Sequence, residues 1–306
     1  MEIREGKALI GGQERSDVKI HYEDMGNPDD PAVLLVMGLG AQLVLWREEF
    51  CSKLVDQGLR VIRFDNRDAG LSSHFHGQRT KGSQVGNMFR SLVGFKSPSV
   101  YTLEDMADDA AGLLDHLGID RAHVVGASMG GMIAQVFAAR HAARTRALGV
   151  IFSSNNRALL PPPGPQQLLA VVTGPSPHSP REVIVENSIR VSRIIGSPGY
   201  PSTEEKLRAD AIALYDRAFN PQGIARQFNA ITGSGSLLRY NKQITAPTVV
   251  IHGKADKLMR PSGGRAIARA IKGARLVLFD GMGHELPEPL WDDIVGELTT
   301  TFTEVS

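Results

Sequence analysis

The chain has 306 residues, 42% of them hydrophobic and 22% charged, so it is long enough to bury a substantial core. Its formal net charge of +1 argues against nucleic acid or an anionic membrane as the main partner. The single cysteine, Cys51, excludes an intrachain disulfide and fits a reducing compartment.

The N-terminal residues do not resemble a targeting segment. Charged residues interrupt residues 1–11, which therefore lack the apolar core of a secretory signal. The longest apolar run, residues 32–46, is broken by glycines and is too short to span a bilayer. We therefore expect a soluble, cytoplasmic protein that does not use a membrane.

Short apolar runs alternate with helical patterns, which is typical of a mostly parallel sheet with helices on both faces. An earlier segment, residues 19–22, is a candidate for an antiparallel edge strand. Thr102 is a good N-cap for a helix over residues 103–117, and another helix is expected over residues 129–139. The predicted core strands are residues 32–36, 59–64, 123–125, 147–152, 248–251 and 276–279.

Residues 155–243 interrupt this alternation. The segment opens with proline-rich stretches that predict little regular structure, and helical patterns follow at residues 182–195, 203–218 and 222–232. We interpret it as an inserted helical cap, so that residues 1–154 and 244–306 form the core. A second long excursion, residues 73–101, is expected to contribute a short helix over residues 86–93, with Phe89 at a pocket entrance.

The strongest local motif is Gly126-Ala127-Ser128-Met129-Gly130, which follows a predicted strand and precedes a predicted helix. In that setting, Gly-x-Ser-x-Gly is a nucleophile elbow, a turn that exposes the serine hydroxyl above the sheet. A glycine-rich turn with a bystander serine is the alternative, and the strand–turn–helix context disfavours it.

A serine nucleophile needs a base, and the base needs an orienting carboxylate. His284 lies in a glycine-rich loop after the last predicted strand, and Asp256 lies in the loop after the preceding one. Asp280 is the competing acid, but it is only four residues from His284 and poorly placed to support the imidazole. His252, at the end of its own strand, is interpreted as structural.

An oxyanion hole needs two backbone N–H groups. Met129 directly follows the serine, and Leu39 lies in the glycine-containing loop after the first core strand. These two residues are therefore the predicted donors. No metal site is predicted, because the histidines of His74-Phe-His76 are better explained as surface residues.

These motifs, together with the Asp65–Ser72 turn, resemble the α/β-hydrolase fold, and the chain is most similar to the aclacinomycin methylesterase type. The resemblance rests on residues 34–38, 46–50, 58–68, 123–126 and 281–284, and it hardly reaches into the cap. It implies cofactor-free hydrolysis of a small-molecule carboxylic ester through an acyl-enzyme on Ser128. Lactones are chemically close substrates.

Two departures leave the substrate open: Met37 replaces a histidine that is common in the superfamily, and residues 73–101 are unusually long. Carbon–carbon bond hydrolysis and perhydrolysis use the same type of elbow and remain alternatives. A low-turnover ligand-binding receptor is the alternative from another class.

Overall fold

The computed structural model describes residues 2–11, 17–78, 86, 87, 90 and 94–304. Its centre is one eight-stranded sheet in the order β1-β2-β4-β3-β5-β6-β7-β8. The first two strands pair antiparallel, β2 also pairs antiparallel with β4, and the pairs from β4 to β8 are parallel. The strands are β1 (Ile3–Ile10), β2 (Val18–Met25), β3 (Ala32–Val36), β4 (Arg60–Phe64), β5 (Ala122–Ala127), β6 (Thr145–Ile151), β7 (Thr248–Gly253) and β8 (Arg275–Phe279).

Ten α-helices accompany the sheet in the described part of the chain. They are α1 (Glu48–Val55), α2 (Leu103–His116), α3 (Met129–Arg140), α4 (Pro165–Val172), α5 (Arg181–Ile195), α6 (Glu204–Arg217), α7 (Pro221–Ser234), α8 (Leu238–Asn241), α9 (Pro261–Ala270) and α10 (Trp291–Thr303).

The core occupies both faces of the sheet. Along β3, Leu34 and Val36 pack with α2 and α3, whereas Val33 and Leu35 pack with α1 and α10. Successive strand side chains point to opposite faces, so a central parallel strand is apolar throughout. The continuous apolar run of β3 is therefore the signature of its place in the middle of the sheet.

The fold class predicted from the sequence is confirmed, and all six predicted core strands are present. Thr102 caps α2 through a capping box with Asp105. Helix α4 was not predicted from the sequence, because it begins in a proline-rich stretch. Pro165 lies in its first turn, where the N–H that proline lacks would have no intrahelical acceptor.

The segment between β6 and β7 contributes α4 to α8, and its helices α5 and α6 share a small apolar cluster. No helix in the described ranges is both long and apolar enough to cross a membrane. Phe89 and most of the helix predicted over residues 86–93 lie outside the described residues.

Candidate active site

Ser128 stands in a strained turn between β5 and α3. Its φ of 56° lies in the left-handed region that non-glycine residues rarely occupy. A Cβ atom on Gly126 would approach the Gly130 carbonyl oxygen to 2.1 Å, and one on Gly130 would approach the Val36 carbonyl oxygen to 2.1 Å. The turn is thus tight enough to require both glycines of the predicted elbow.

Three of the predicted residues lie in one hydrogen-bonded chain. His284 Nε2 is 2.9 Å from Ser128 Oγ, and His284 Nδ1 is 2.8 Å from Asp256 Oδ2. A carboxylate only accepts, so Nδ1 carries the proton and Nε2 is free to accept from the serine hydroxyl. The Phe152 ring lies 4.8 Å from the imidazole and covers one side of it.

Asp256 is buried, and its surroundings supply hydrogen-bond donors to the carboxylate. Its Oδ1 accepts the backbone N–H groups of Leu258 and Met259, each at 2.9 Å. Burial raises the pKa of Asp256, but the His284 and His252 imidazoles outweigh it and hold the pKa below its usual range. The side chain therefore stays ionised beside His284. Asp280, the competing acid, is largely exposed and pairs with Lys254 at 2.9 Å.

The contact between His252 and Asp256 was not predicted from the sequence. His252 Nε2 lies 3.5 Å from Asp256 Oδ2 and donates to the Met259 carbonyl oxygen at 2.5 Å. The side chain is fully buried. The four-residue spacing to Asp256 was the available signal, but the sequence alone does not say that the loop folds back on its own strand.

The His284 loop is held from outside the sheet. His284 N–H donates to the carbonyl oxygen of Ile195, the last residue of α5, at 2.8 Å. Gly283 N–H donates to Ser197 Oγ at 2.9 Å, and Glu285 Oε1 accepts Ser197 N–H at 2.6 Å. The segment between β6 and β7 thus positions the backbone of His284, and no local sequence motif predicts these contacts.

The two predicted oxyanion donors lie near Ser128. A Cβ on Gly38 would be 3.1 Å from Ser128 Cβ, so the turn that carries Leu39 passes directly beside the serine. Met129 begins α3, where the first N–H groups have no intrahelical acceptor. Within the described residues neither the Leu39 nor the Met129 N–H has a hydrogen-bond acceptor. Nor does that part of the chain group three His, Cys, Asp or Glu side chains as metal ligands.

Comparisons with known proteins identify the family of the chain. A family model described as alpha/beta hydrolase fold matches residues 31–288. Rhodomycin D methylesterase DnrP from Streptomyces peucetius is 28% identical over 298 residues, covering 90% of this chain and 93% of that protein. The 2-hydroxy-6-oxo-6-phenylhexa-2,4-dienoate hydrolase from Comamonas testosteroni is 26% identical and covers 92% of both proteins.

Among solved structures, the enol-lactonase from Burkholderia xenovorans LB400 superimposes with a TM-score of 0.70 at 24% identity. The match covers 94% of this chain and 97% of that one. Together the comparisons confirm the family resemblance inferred from the sequence.

Proposed function

The chain belongs to the α/β-hydrolase fold family, and on that premise we propose that it is a serine hydrolase acting on carboxylic esters of small molecules. The observation that carries the proposal is the continuous hydrogen-bonded chain from Ser128 through His284 to the buried carboxylate of Asp256. Similarity to rhodomycin D methylesterases adds support for an ester as substrate.

In the proposed mechanism, Ser128 Oγ attacks the ester carbonyl carbon while His284 Nε2 takes the hydroxyl proton. Asp256 holds the imidazole in the reactive tautomer and offsets its positive charge. The N–H groups of Leu39 and Met129 stabilise the oxyanion. Collapse expels the alcohol, which receives the proton from His284 and leaves an acyl-enzyme. Water then attacks the acyl carbon, His284 again accepts and returns the proton, and the acid departs.

We further propose that residues 155–243 form a cap over a core made of residues 1–154 and 244–306. Ligands in open α/β sheets bind beyond the carboxyl ends of the strands, which is where Ser128 and Asp256 lie. Helix α7 comes close to this edge, since a Cβ on Gly40 would meet the Ile224 side chain at 2.8 Å. Cap residues are thus suited to bounding the substrate.

Hydrolysis of a carbon–carbon bond is the second candidate, and dienoate hydrolases among the relatives favour it. The same serine and oxyanion donors would serve either reaction. A lactone is the third substrate to compare, because an enol-lactonase shares the fold and lactone opening needs the same acyl-enzyme.

The test is covalent labelling with a fluorophosphonate, followed by turnover of p-nitrophenyl esters, methyl esters, lactones and a 2-hydroxy-6-oxo-dienoate. We expect labelling and ester turnover in the wild type, and neither in Ser128→Ala. Ser154→Ala is the matched control, because this hydroxyl is also buried near the site, accepts Asn156 N–H and has no other hydrogen bond within the described ranges.

Labelling that survives in Ser128→Ala would refute the assigned nucleophile. Turnover of the dienoate alone would favour carbon–carbon hydrolysis. Labelling without turnover of any substrate would favour a ligand-binding receptor.

A further inference from the structure

The turn beside Ser128 has an unusual backbone. Ala41 N–H donates to the Gly38 carbonyl oxygen at 3.2 Å and closes a four-residue β-turn. Gly40 has a φ of +65°, which a type II turn requires at its third position and which glycine supplies without strain. The central peptide of this turn joins Leu39 to Gly40. This central peptide and the peptide that carries the Leu39 N–H meet at the Leu39 Cα, so a turn that is loosely held would also displace the Leu39 N–H.

One side chain from the inserted segment holds this central peptide. Gln227 of α7 accepts the Gly40 N–H at Oε1, 2.8 Å away, and donates from Nε2 to the Arg67 carbonyl oxygen, also at 2.8 Å. The side chain is fully buried. Each end of the amide meets a complementary backbone group, so only one orientation of the side chain satisfies both bonds.

We infer that Gln227 is a positioning residue for the oxyanion hole, an inference that rests on the proposed function. Gln227 occupies the Gly40 N–H and the Gly38 carbonyl occupies the Ala41 N–H, whereas Leu39 N–H keeps no acceptor among the described residues. Central peptides of β-turns can flip between types I and II, and the bond to Gln227 selects the orientation in which Gly40 N–H faces α7. Oxyanion donors act only within about 2.7–3.1 Å of the developing charge.

The opposite side of the same loop is fixed by the core. Asn66 Nδ2 donates to the Met37 carbonyl oxygen at 2.9 Å, just before the turn. The loop is thus held by the core at Met37 and by α7 at Gly40. Loss of the Gln227 bond would leave the strand end in place and free only the turn that bears Leu39.

The experiment compares Gln227→Met, which removes both hydrogen bonds at similar side-chain size, with Asn229→Leu on the same helix. Asn229 is also a buried amide, but it accepts from Asn87 at 3.2 Å and does not reach the turn. For Gln227→Met we expect kcat to fall about 10- to 100-fold, somewhat less than for outright removal of an oxyanion donor. We expect KM to stay within about threefold, since the oxyanion forms only after substrate binds.

Inhibition by a trifluoromethyl ketone, which forms an oxyanion on Ser128, should weaken in Gln227→Met by the same factor as kcat. Binding of the corresponding methyl ketone should not change. Gln227→Glu keeps an acceptor for the Gly40 N–H but, when ionised, sets a carboxylate oxygen against the Arg67 carbonyl oxygen, so it should recover only part of the activity. If Gln227→Met does not fold, Gln227→Asn replaces it, since its amide is one methylene too short to reach both groups.

Amide hydrogen exchange of residues 37–43 in the unliganded protein gives a readout independent of activity, and it should speed up in Gln227→Met but not in Asn229→Leu. Unchanged exchange, unchanged kcat, or an equal loss in Asn229→Leu would overturn the inference. A wild type without ester turnover would refute the proposed function, while exchange would still decide whether Gln227 holds the turn.

Discussion

The Ser128 turn and the His284 loop meet within 2.9 Å, but different parts of the chain hold them. Ser128 is fixed by the sheet and its own helix: its N–H donates to the Ile151 carbonyl oxygen, and its carbonyl accepts from Ser153. The His284 loop is fixed at the end of α5, where His284 N–H donates to the Ile195 carbonyl oxygen and Gly283 N–H donates to Ser197 Oγ. The proposed nucleophile is thus held by the core alone, whereas the backbone beside the proposed base is also held by the segment between β6 and β7.

This difference predicts that the two sides of the site tolerate substitutions differently. The elbow depends on close backbone approaches, in which any side chain at Gly126 or Gly130 is excluded. The His284 loop depends on hydrogen bonds that are weaker individually and that come from a segment more than 80 residues away. We therefore expect abrupt losses from changes at the elbow and graded losses from changes at the base.

Of the substitutions compared here, the one at Asp256 should lower kcat most, because this carboxylate orients the imidazole that bonds to Ser128. Asp256→Asn should keep the fold but lower kcat by roughly 10³- to 10⁴-fold, because the amide no longer holds the reactive tautomer or offsets the imidazolium charge. Asp280→Asn is the matched control, since that exposed carboxylate pairs with Lys254. Steady-state kinetics on one ester decide between the acids. A larger loss in Asp280→Asn would show that the acid is misassigned.

Gly130→Ala tests the Ser128 turn without changing the His284 loop. Its Cβ would lie 2.1 Å from the Val36 carbonyl oxygen, so the elbow must move, and a displacement of about 1 Å costs roughly 10²-fold in rate. We expect at least that loss in kcat/KM, with a lower unfolding temperature. Gly296→Ala in α10 provides the control: apart from the backbone of its own helix, no described atom lies within 4 Å of a Cβ placed there, and alanine stabilises a helix by about 0.5–1 kcal/mol relative to glycine. Equal activity in the two variants would contradict the steric account.

Ser197→Ala tests the other side of the comparison. It removes the acceptor for Gly283 N–H, and the loss of one hydrogen bond of about 1 kcal/mol should lower kcat roughly 5- to 10-fold. Because the change acts on His284 and not on the substrate, esters with short and long acyl chains should lose activity equally.

Ser188→Ala on α5 is the control, since that hydroxyl donates to the Ile184 carbonyl oxygen of its own helix and has no other hydrogen bond among the described residues. A loss confined to long acyl chains would mean that Ser197 shapes the binding pocket instead.

The difference between the Ser128 turn and the His284 loop also determines which features could be predicted from the sequence. Gly126 and Gly130 flank the serine within five residues, and a local pattern fully describes the steric need that they meet. Asp256 and His284 could be selected by chain order and by their positions after strands. The parallel sheet followed from continuous apolar runs such as that of β3, because both of its faces are buried.

The contacts that hold the His284 loop and the turn from Gly38 to Ala41 could not be predicted in this way. Gln227 is 187 positions from Gly40, and Ser197 is 86 positions from Gly283. Neither residue type nor local spacing marks them as special, since glutamine and serine are common on helices and at helix ends. Such pairs depend on how the inserted helices dock, which is determined by tertiary packing.

The smallest effect on chemistry should come from His123, which lies on β5 well before the elbow and stacks on Phe302 at 4.1 Å. Burial, with Arg146 and Arg121 nearby, lowers the pKa of His123 to about 4, against about 6.5 in an unfolded chain. Between these values the unfolded state binds more protons, so the free energy of unfolding falls as pH falls through that window. The loss should be about 1–2 kcal/mol between pH 6.5 and pH 5, because the slope approaches 1.36 kcal/mol per pH unit only well below pH 6.5.

His123→Phe keeps a ring against Phe302 and removes this titration, so its free energy of unfolding should fall less steeply over the same interval, measured by urea unfolding. Its kcat/KM near neutral pH should match the wild type, because in the described part of the chain the His123 side chain has no hydrogen bond to the elbow or to the His284 loop, and its buried Nδ1 has no partner. Parallel stability curves for the two proteins would contradict the assignment of His123. A large loss of kcat/KM would instead mean that strain within β5 reaches Ser128, and that the core side of the site is less rigid than its close backbone contacts imply.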